Sequence, residues 1–271
     1  MIALILSALL QGGPFNDEVW TATSKDGLAW TVGSAAVASR ASVPGVVEGK
    51  DGTLRIYFVD FSGRPDPGEE ALSVIESDDG KDWSKSTRVS VKDKPNKGAA
   101  VDPSVVLLDD GRFRLFYFGS EMTRGDPASA KGPRRIYSAI SSDGVAFENE
   151  EGVRFEHERI TDPDVVKVGD AWWMFLSAGQ ETLTARSDDG LKFEKVDRTF
   201  KGGVPGALAV DGGVRVFTCR DGIVSWRWDL KGEPREEGKA IERGKGYKIA
   251  ADPCALRRGD GTYFMVFKRA K

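Results

Sequence analysis

Apolar residues in this chain gather in short runs rather than at helical spacing, and the runs recur in a fixed order. An x-Pro step leads into a brief apolar run, a Gly/Asp turn follows, and a second, usually aromatic, run completes the unit. The copies begin Val43-Pro44-Gly45-Val46-Val47, Asp102-Pro103-Ser104-Val105-Val106, Asp162-Pro163-Asp164-Val165-Val166, Val204-Pro205-Gly206-Ala207-Leu208 and Asp252-Pro253-Cys254-Ala255-Leu256. Their turns are Asp51-Gly52, Asp110-Gly111, Gly169-Asp170, Asp211-Gly212 and Asp260-Gly261, and the second runs start at Leu54, Phe113, Ala171, Val214 and Thr262. Each copy therefore predicts a β-hairpin.

A second pattern, S-x-D-G-x-x-[W/F], occurs at Ser24-Lys25-Asp26-Gly27 with Trp30, at Ser77-Asp78-Asp79-Gly80 with Trp83, at Ser141-Ser142-Asp143-Gly144 with Phe147 and at Ser187-Asp188-Asp189-Gly190 with Phe193. Its Asp can accept backbone N–H groups in a tight turn, its Gly supplies a positive φ, and its aromatic tucks under the hairpin. A remaining copy is expected around Ser225-Trp226-Arg227-Trp228-Asp229, where the pattern is lost. The two patterns alternate, a box first and an x-Pro hairpin last. Pairing the terminal hairpins makes a fifth four-stranded sheet, so the expected fold is an all-β, five-bladed β-propeller closed by its own two ends. A β-sandwich is the alternative that short strands alone would allow, and it leaves the alternation unexplained.

Composition narrows the function. With 40% hydrophobic and 30% charged residues the chain is neither disordered nor collagen-like. Lys and Arg number 39 against 42 Asp and Glu, so nothing draws it generally to nucleic acid or an anionic membrane. A single histidine and two cysteines cannot furnish the usual zinc ligand sets, and a Ser-His-Asp triad would depend on His157 with no nucleophile-elbow pattern present. Nucleotide fingerprints are absent. Chemistry here must rest on carboxylates. Residues 1–13, apolar from Met1 to Leu10 and then Gln11-Gly12-Gly13, read as an export signal, with a strand as the alternative. A secreted or periplasmic, monomeric protein with one domain over 14–271 and no membrane association after cleavage is expected.

The x-Asp-Pro-x-Val-Val step followed by Asp-Gly and an aromatic strand resembles the inner hairpins of the five-bladed arabinanase, β-xylosidase, invertase and levansucrase glycoside hydrolases, and the S-x-D-G boxes resemble the Asp-boxes of sialidase-type propellers. The likeness spans about residues 17–271. It implies a glycoside hydrolase acting on an oligo- or polysaccharide, with an Asp base, a tuning Asp and a Glu acid on successive blades. Carried over in chain order, those places hold Val43, Asp102 and Asp162. The base is then missing, and Asp162 is one methylene shorter than Glu. The alternative is a non-catalytic carbohydrate-binding or structural propeller that has lost base and acid. A sialidase would need an arginine cluster and a Tyr nucleophile, which the mouth-forming segments lack.

Read from the residues, the x-Pro steps should converge at one mouth of the channel. Asp102, Asp162 and Asp252 would then repel one another, and at least one pKa should rise, as acid/base catalysis requires. The competing reading of Asp before Pro is strand initiation. Glu121, at the head of a Gly- and Pro-rich loop, is a substitute acid. His157, Arg159, Arg220 and Asp221 are expected near the mouth as substrate-binding groups, or else as ion-paired loop residues. The aromatic strands Phe116-Tyr117-Phe118 and Trp172-Trp173 read as packing between blades. Cys219 and Cys254 should approach each other as a disulfide or as two buried thiols. No cofactor is called for, although the Asp-lined channel leaves room for a structural cation.

Overall fold

The computed structural model describes residues 14–62, 71–95, 100–119 and 132–271. Five sheets surround one axis as a β-propeller. Blade 1 comprises Ala41–Glu48, Leu54–Asp60, Ala71–Ser77 and Thr87–Arg88, counted outward from the axis. Blade 2 comprises Ala100–Leu107, Phe113–Gly119, Arg134–Ser141 and Ala146–Asn149, with Ser90–Lys92 added in parallel outside and Phe155–His157 also on Arg134–Ser141. Blade 3 is Thr161–Val168, Ala171–Ser177, Glu181–Ser187 and Glu194–Lys201; blade 4 is Gly203–Val210, Gly213–Arg220, Gly222–Trp228 and Arg235–Ile241. In blade 5, Ile249–Arg257 and Tyr263–Ala270 from the C-terminal end are continued by Glu18–Ser24 and Thr31–Val32 from the N-terminal end. Glu18–Ser24 runs antiparallel to Tyr263–Ala270, from Glu18 opposite Arg269 to Ser24 opposite Tyr263. The innermost strands touch in chain order, and that of blade 5 touches that of blade 1.

The continuous apolar runs have a simple origin: strands in the body of a blade are buried on both faces. Successive residues enter alternate cores. Trp172, Met174 and Leu176 pack between blades 2 and 3, whereas Trp173 and Phe175 pack between blades 3 and 4. Phe264 and Val266 meet blade 1, while Met265 and Phe267 meet blade 4. The aromatic strands are thus inter-blade packing.

In the four S-x-D-G turns the Asp carboxylate accepts two backbone N–H groups and the Ser hydroxyl accepts that of Gly. At the first, Leu28 N and Ala29 N donate to Asp26 Oδ1 at 2.8 and 2.9 Å, and Gly27 N donates to Ser24 Oγ at 2.9 Å. In blade 4 the sequence pattern is absent, as expected, yet the turn itself forms. Asp229 Oδ1 still accepts Lys231 N and Gly232 N at 3.0 and 2.9 Å, and Leu230 takes the glycine's left-handed place at φ 67°. The Asp alone is enough to hold this turn.

Candidate site at the propeller axis

All five x-Pro dipeptides line one cavity of about 20 Å3 on the axis. The residue before each proline is left-handed: φ is 50° at Val43, 54° at Asp102, 48° at Asp162, 48° at Val204 and 51° at Asp252. In every blade the strand register slips beside it. The x-Pro step is therefore a bulge inside the innermost strand, which corrects its reading as a strand start. A bulge re-aims one side chain out of the pleat, and here it turns five toward the axis. Asp is among the few non-glycine residues that accept this backbone region, whereas Val is poorly suited to it.

The position after each proline forms a tighter ring of Gly45, Ser104, Asp164, Gly206 and Cys254. Where this residue has a side chain, it accepts a backbone N–H from the following blade. Val165 N donates to Ser104 Oγ at 2.9 Å, Ala207 N to Asp164 Oδ2 at 2.5 Å, and Val46 N to Cys254 Sγ at 3.3 Å. Where it is glycine the backbones themselves close up: a Cβ on Gly45 would collide with the Pro103 carbonyl oxygen, and one on Gly206 with that of Pro253. Asp164 also accepts Ser104 Oγ at 3.1 Å and the Cys254 thiol at 3.9 Å, so one carboxyl from blade 3 joins blades 2, 4 and 5. Burial pushes the Asp164 carboxyl up to about 7 against the pull of these donors. The thiols are free: Cys254 is bound into this ring, and Cys219 Sγ lies 3.5 Å from Val204 O.

The Asp residues differ in setting. Asp102 and Asp162 are half-buried, and Asp162 N donates to Asp102 Oδ2 at 3.3 Å. Burial and then the neighbouring Asp252 carboxylate push the Asp162 carboxyl up to about 6, while Thr161 and Lys268 act the other way. Asp252 is only 4% exposed and pairs with Lys268 Nζ at 2.7 Å. The same ammonium lies 3.6 Å from Asp17 Oδ2 and 3.4 Å from Ser42 Oγ, and Ser42 Oγ donates to Asp17 at 2.8 Å. Burial raises the Asp17 pKa despite Lys268 and Ser42. Burial alone would lower the Lys268 pKa, but Asp252 and Asp17 outweigh it and hold it above the usual lysine range.

Among the described residues, the predicted substrate-binding groups His157, Arg159, Arg220 and Asp221 do not line this cavity. Glu121 falls outside the described residues. His157 is half-buried on the short strand beside Arg134, and its Nδ1 accepts Arg159 N at 3.3 Å; the Arg159 side chain is exposed. Arg220 pairs with Glu236 at 3.1 Å, while Asp221 pairs with Lys239 and Arg243 at 3.4 and 3.3 Å. No trio of His, Cys, Asp or Glu among the described residues is arranged to hold a metal ion. Sequence reasoning missed Asp17, Ser104, Asp164 and Lys268. The small or polar residue after each proline was a signal for two of them; Asp17 and Lys268 carry no motif and meet only through blade closure.

These features define a five-bladed propeller with an acidic axial site, the fold of several structurally known glycosidases. An α-L-arabinofuranosidase from Clostridium thermocellum is similar to this chain with a TM-score of 0.64 at 17% identity, over 83% of this chain and 80% of that one. A β-fructofuranosidase of Bombyx mori gives 0.64 at 18% identity, over 97% of this chain and 60% of the other. An endo-1,4-β-xylanase from Bacteroides thetaiotaomicron gives 0.63 at 15% identity, over 84% of each. At such identities the likeness is one of fold. No family model matches the sequence, and no curated protein matches it.

Proposed function

We propose that this chain is a secreted, monomeric glycoside hydrolase that uses the Asp ring at its mouth and needs no cofactor. The observation that carries this reading is the convergence of Asp102, Asp162 and Asp252 on one cavity, with the Asp162 carboxyl raised to about 6. A carboxyl in that range can protonate a leaving glycosidic oxygen near neutral pH and take the proton back. In this scheme Asp162 is the acid, Asp102 orients its backbone, and Asp252 is the opposing carboxylate that assists the attacking water. A cavity of about 20 Å3 holds roughly one water molecule. The sugar must therefore lie above the ring, with only the scissile oxygen or the water reaching it. His157, Arg159, Arg220 and Asp221 are the rim groups available to sugar hydroxyls.

A second reading, a carbohydrate-binding propeller without turnover, is favoured by the Lys268–Asp252 pair, because a buried, ion-paired carboxylate is a poor base. Aryl arabinofuranosides, xylosides, fructosides and mannosides, assayed with wild type and with Asp102→Asn, Asp162→Asn and Asp252→Asn, separate the two. The expected result is turnover that falls by about 10²–10⁴-fold in Asp162→Asn, with wild-type kcat/KM declining as pH rises through about 6. Turnover that survives all three substitutions would sink the assignment, and oligosaccharide binding without turnover supports the second reading. Activity should persist after chelation. Mass spectrometry of exported protein should find a new N-terminus near Pro14, and light scattering a monomer.

A further inference from the structure

Across the strand pair from the residue that precedes each x-Pro step stands one residue of the second strand. These are Val59 opposite Ser42 in blade 1, Phe118 opposite Val101 in blade 2, Ser177 opposite Thr161 in blade 3, Cys219 opposite Gly203 in blade 4 and Lys268 opposite Ala251 in blade 5. Four are uncharged. The fifth places an ammonium where Asp252 Oδ2 is 2.7 Å, Ser42 Oγ 3.4 Å and Asp17 Oδ2 3.6 Å away, with both carboxylate residues 4% exposed. A buried carboxylate with no compensating cation is strongly disfavoured, so this lysine answers to two acids brought in from different parts of the chain.

We infer that Lys268 is the positioning residue of the mouth: it fixes the Asp252 and Asp17 carboxylates beside the axis and supplies the positive charge that Asp162 faces there. This deepens the glycosidase reading and rests on it for the role of Asp162. The charged and titratable groups around Asp162 are Asp102, Asp164, Asp252, Lys268, Cys219 and Cys254, and around Lys268 are Asp17, Asp162, Asp252 and Cys219. Asp252 favours the protonated form of Asp162 and Lys268 opposes it. Taking the ammonium away removes that opposition, but it also strips the buried Asp252 carboxylate of its cation, so the two effects separate only where residue 252 is already neutral. Arginine at 268 retains the charge.

The test is carboxyl-carbon NMR of Asp-labelled full-length protein titrated with acid, the Asp162 resonance being assigned with Asp162→Asn. In the Asp252→Asn background, where no buried charge at 252 is left unpaired, adding Lys268→Met is expected to raise the Asp162 midpoint by about one pH unit, a tenfold gain in proton affinity, while adding Lys268→Arg leaves it unchanged. If Asp252→Asn/Lys268→Met does not fold, Asp252→Asn/Lys268→Gln reads the same effect with a polar side chain kept beside Asp17, and it too should have a higher midpoint than Asp252→Asn. Equal midpoints in either comparison overturn the inference. In active protein the alkaline limb of kcat/KM should move with the midpoint. A wild type without turnover on the glycoside panel would remove the glycosidase reading and leave the titration result standing, so the two failures are distinguishable.

Discussion

At the position before proline, one backbone requirement and one chemical opportunity coincide. The left-handed φ at Val43, Asp102, Asp162, Val204 and Asp252 selects for residues that tolerate it, and Asp does so while bringing a carboxylate to the axis. Two of the five retain Val at a steric cost. Val204→Asn should therefore stabilise the protein by about 0.5–1 kcal/mol, seen as a higher Tm in thermal melts. Asp164 leads to a pH dependence. Its folded-state pKa is raised from 3.8 to about 7 and that of Asp162 to about 6, so their contribution to stability is complete below about pH 4 and fades as pH climbs through 6 to 7. The turn carboxylates Asp26, Asp79, Asp143 and Asp189, held low mainly by backbone N–H donors, act in the opposite sense and lose their contribution in acid. Tm should accordingly be higher near pH 5 than near pH 8, and Asp164→Asn, which keeps an acceptor for Ala207 N, should flatten that difference. An unchanged slope in Asp164→Asn would show that the carboxyl does not titrate in this range.

Among the structural elements, what ties one blade to the next is the ring after the prolines. Ser104→Ala leaves Val165 N without its acceptor in a buried site and removes a donor from Asp164, a loss of about 1–3 kcal/mol by denaturant unfolding. Gly206→Ala should be worse, because the backbone of Pro253 already fills the space a methyl would need. The outer turns give a contrasting pair. Gly27→Ala forces a side chain into φ 72° with its Cβ 2.7 Å from an Arg215 guanidinium nitrogen, and should destabilise by about 1 kcal/mol or more. Leu230→Gly restores to blade 4 the glycine of the other four turns and should raise Tm slightly. The hairpins were legible in sequence because each repeats turn residues at fixed offsets. The bulge was not, since a register slip depends on the partner strand and leaves no mark of its own in the chain.

Closure governs the molecule as a whole. Tyr263–Ala270 pairs with Ile249–Arg257 on one side and with Glu18–Ser24 on the other, and Lys268 joins Asp17 to Asp252 across the same junction. A chain ending at residue 262 should lose its cooperative melt rather than merely shed a strand, because blade 5 then cannot bridge blades 4 and 1. Alternating hairpin motifs, the number of blades and the three Asp-Pro steps could be read from local sequence, since turn chemistry and apolar runs act over a few residues. Which carboxylates share a desolvated pocket could not. Asp17 and Lys268 are separated by nearly the whole chain, and Asp164 becomes an inter-blade tie only once Ala207 and Ser104 are brought to it. Local sequence determined the hairpins and their order, because their causes are short-range. Only the closed ring decided the burial and charge of each Asp, because desolvation and Coulomb attraction depend on neighbours that the fold alone assembles.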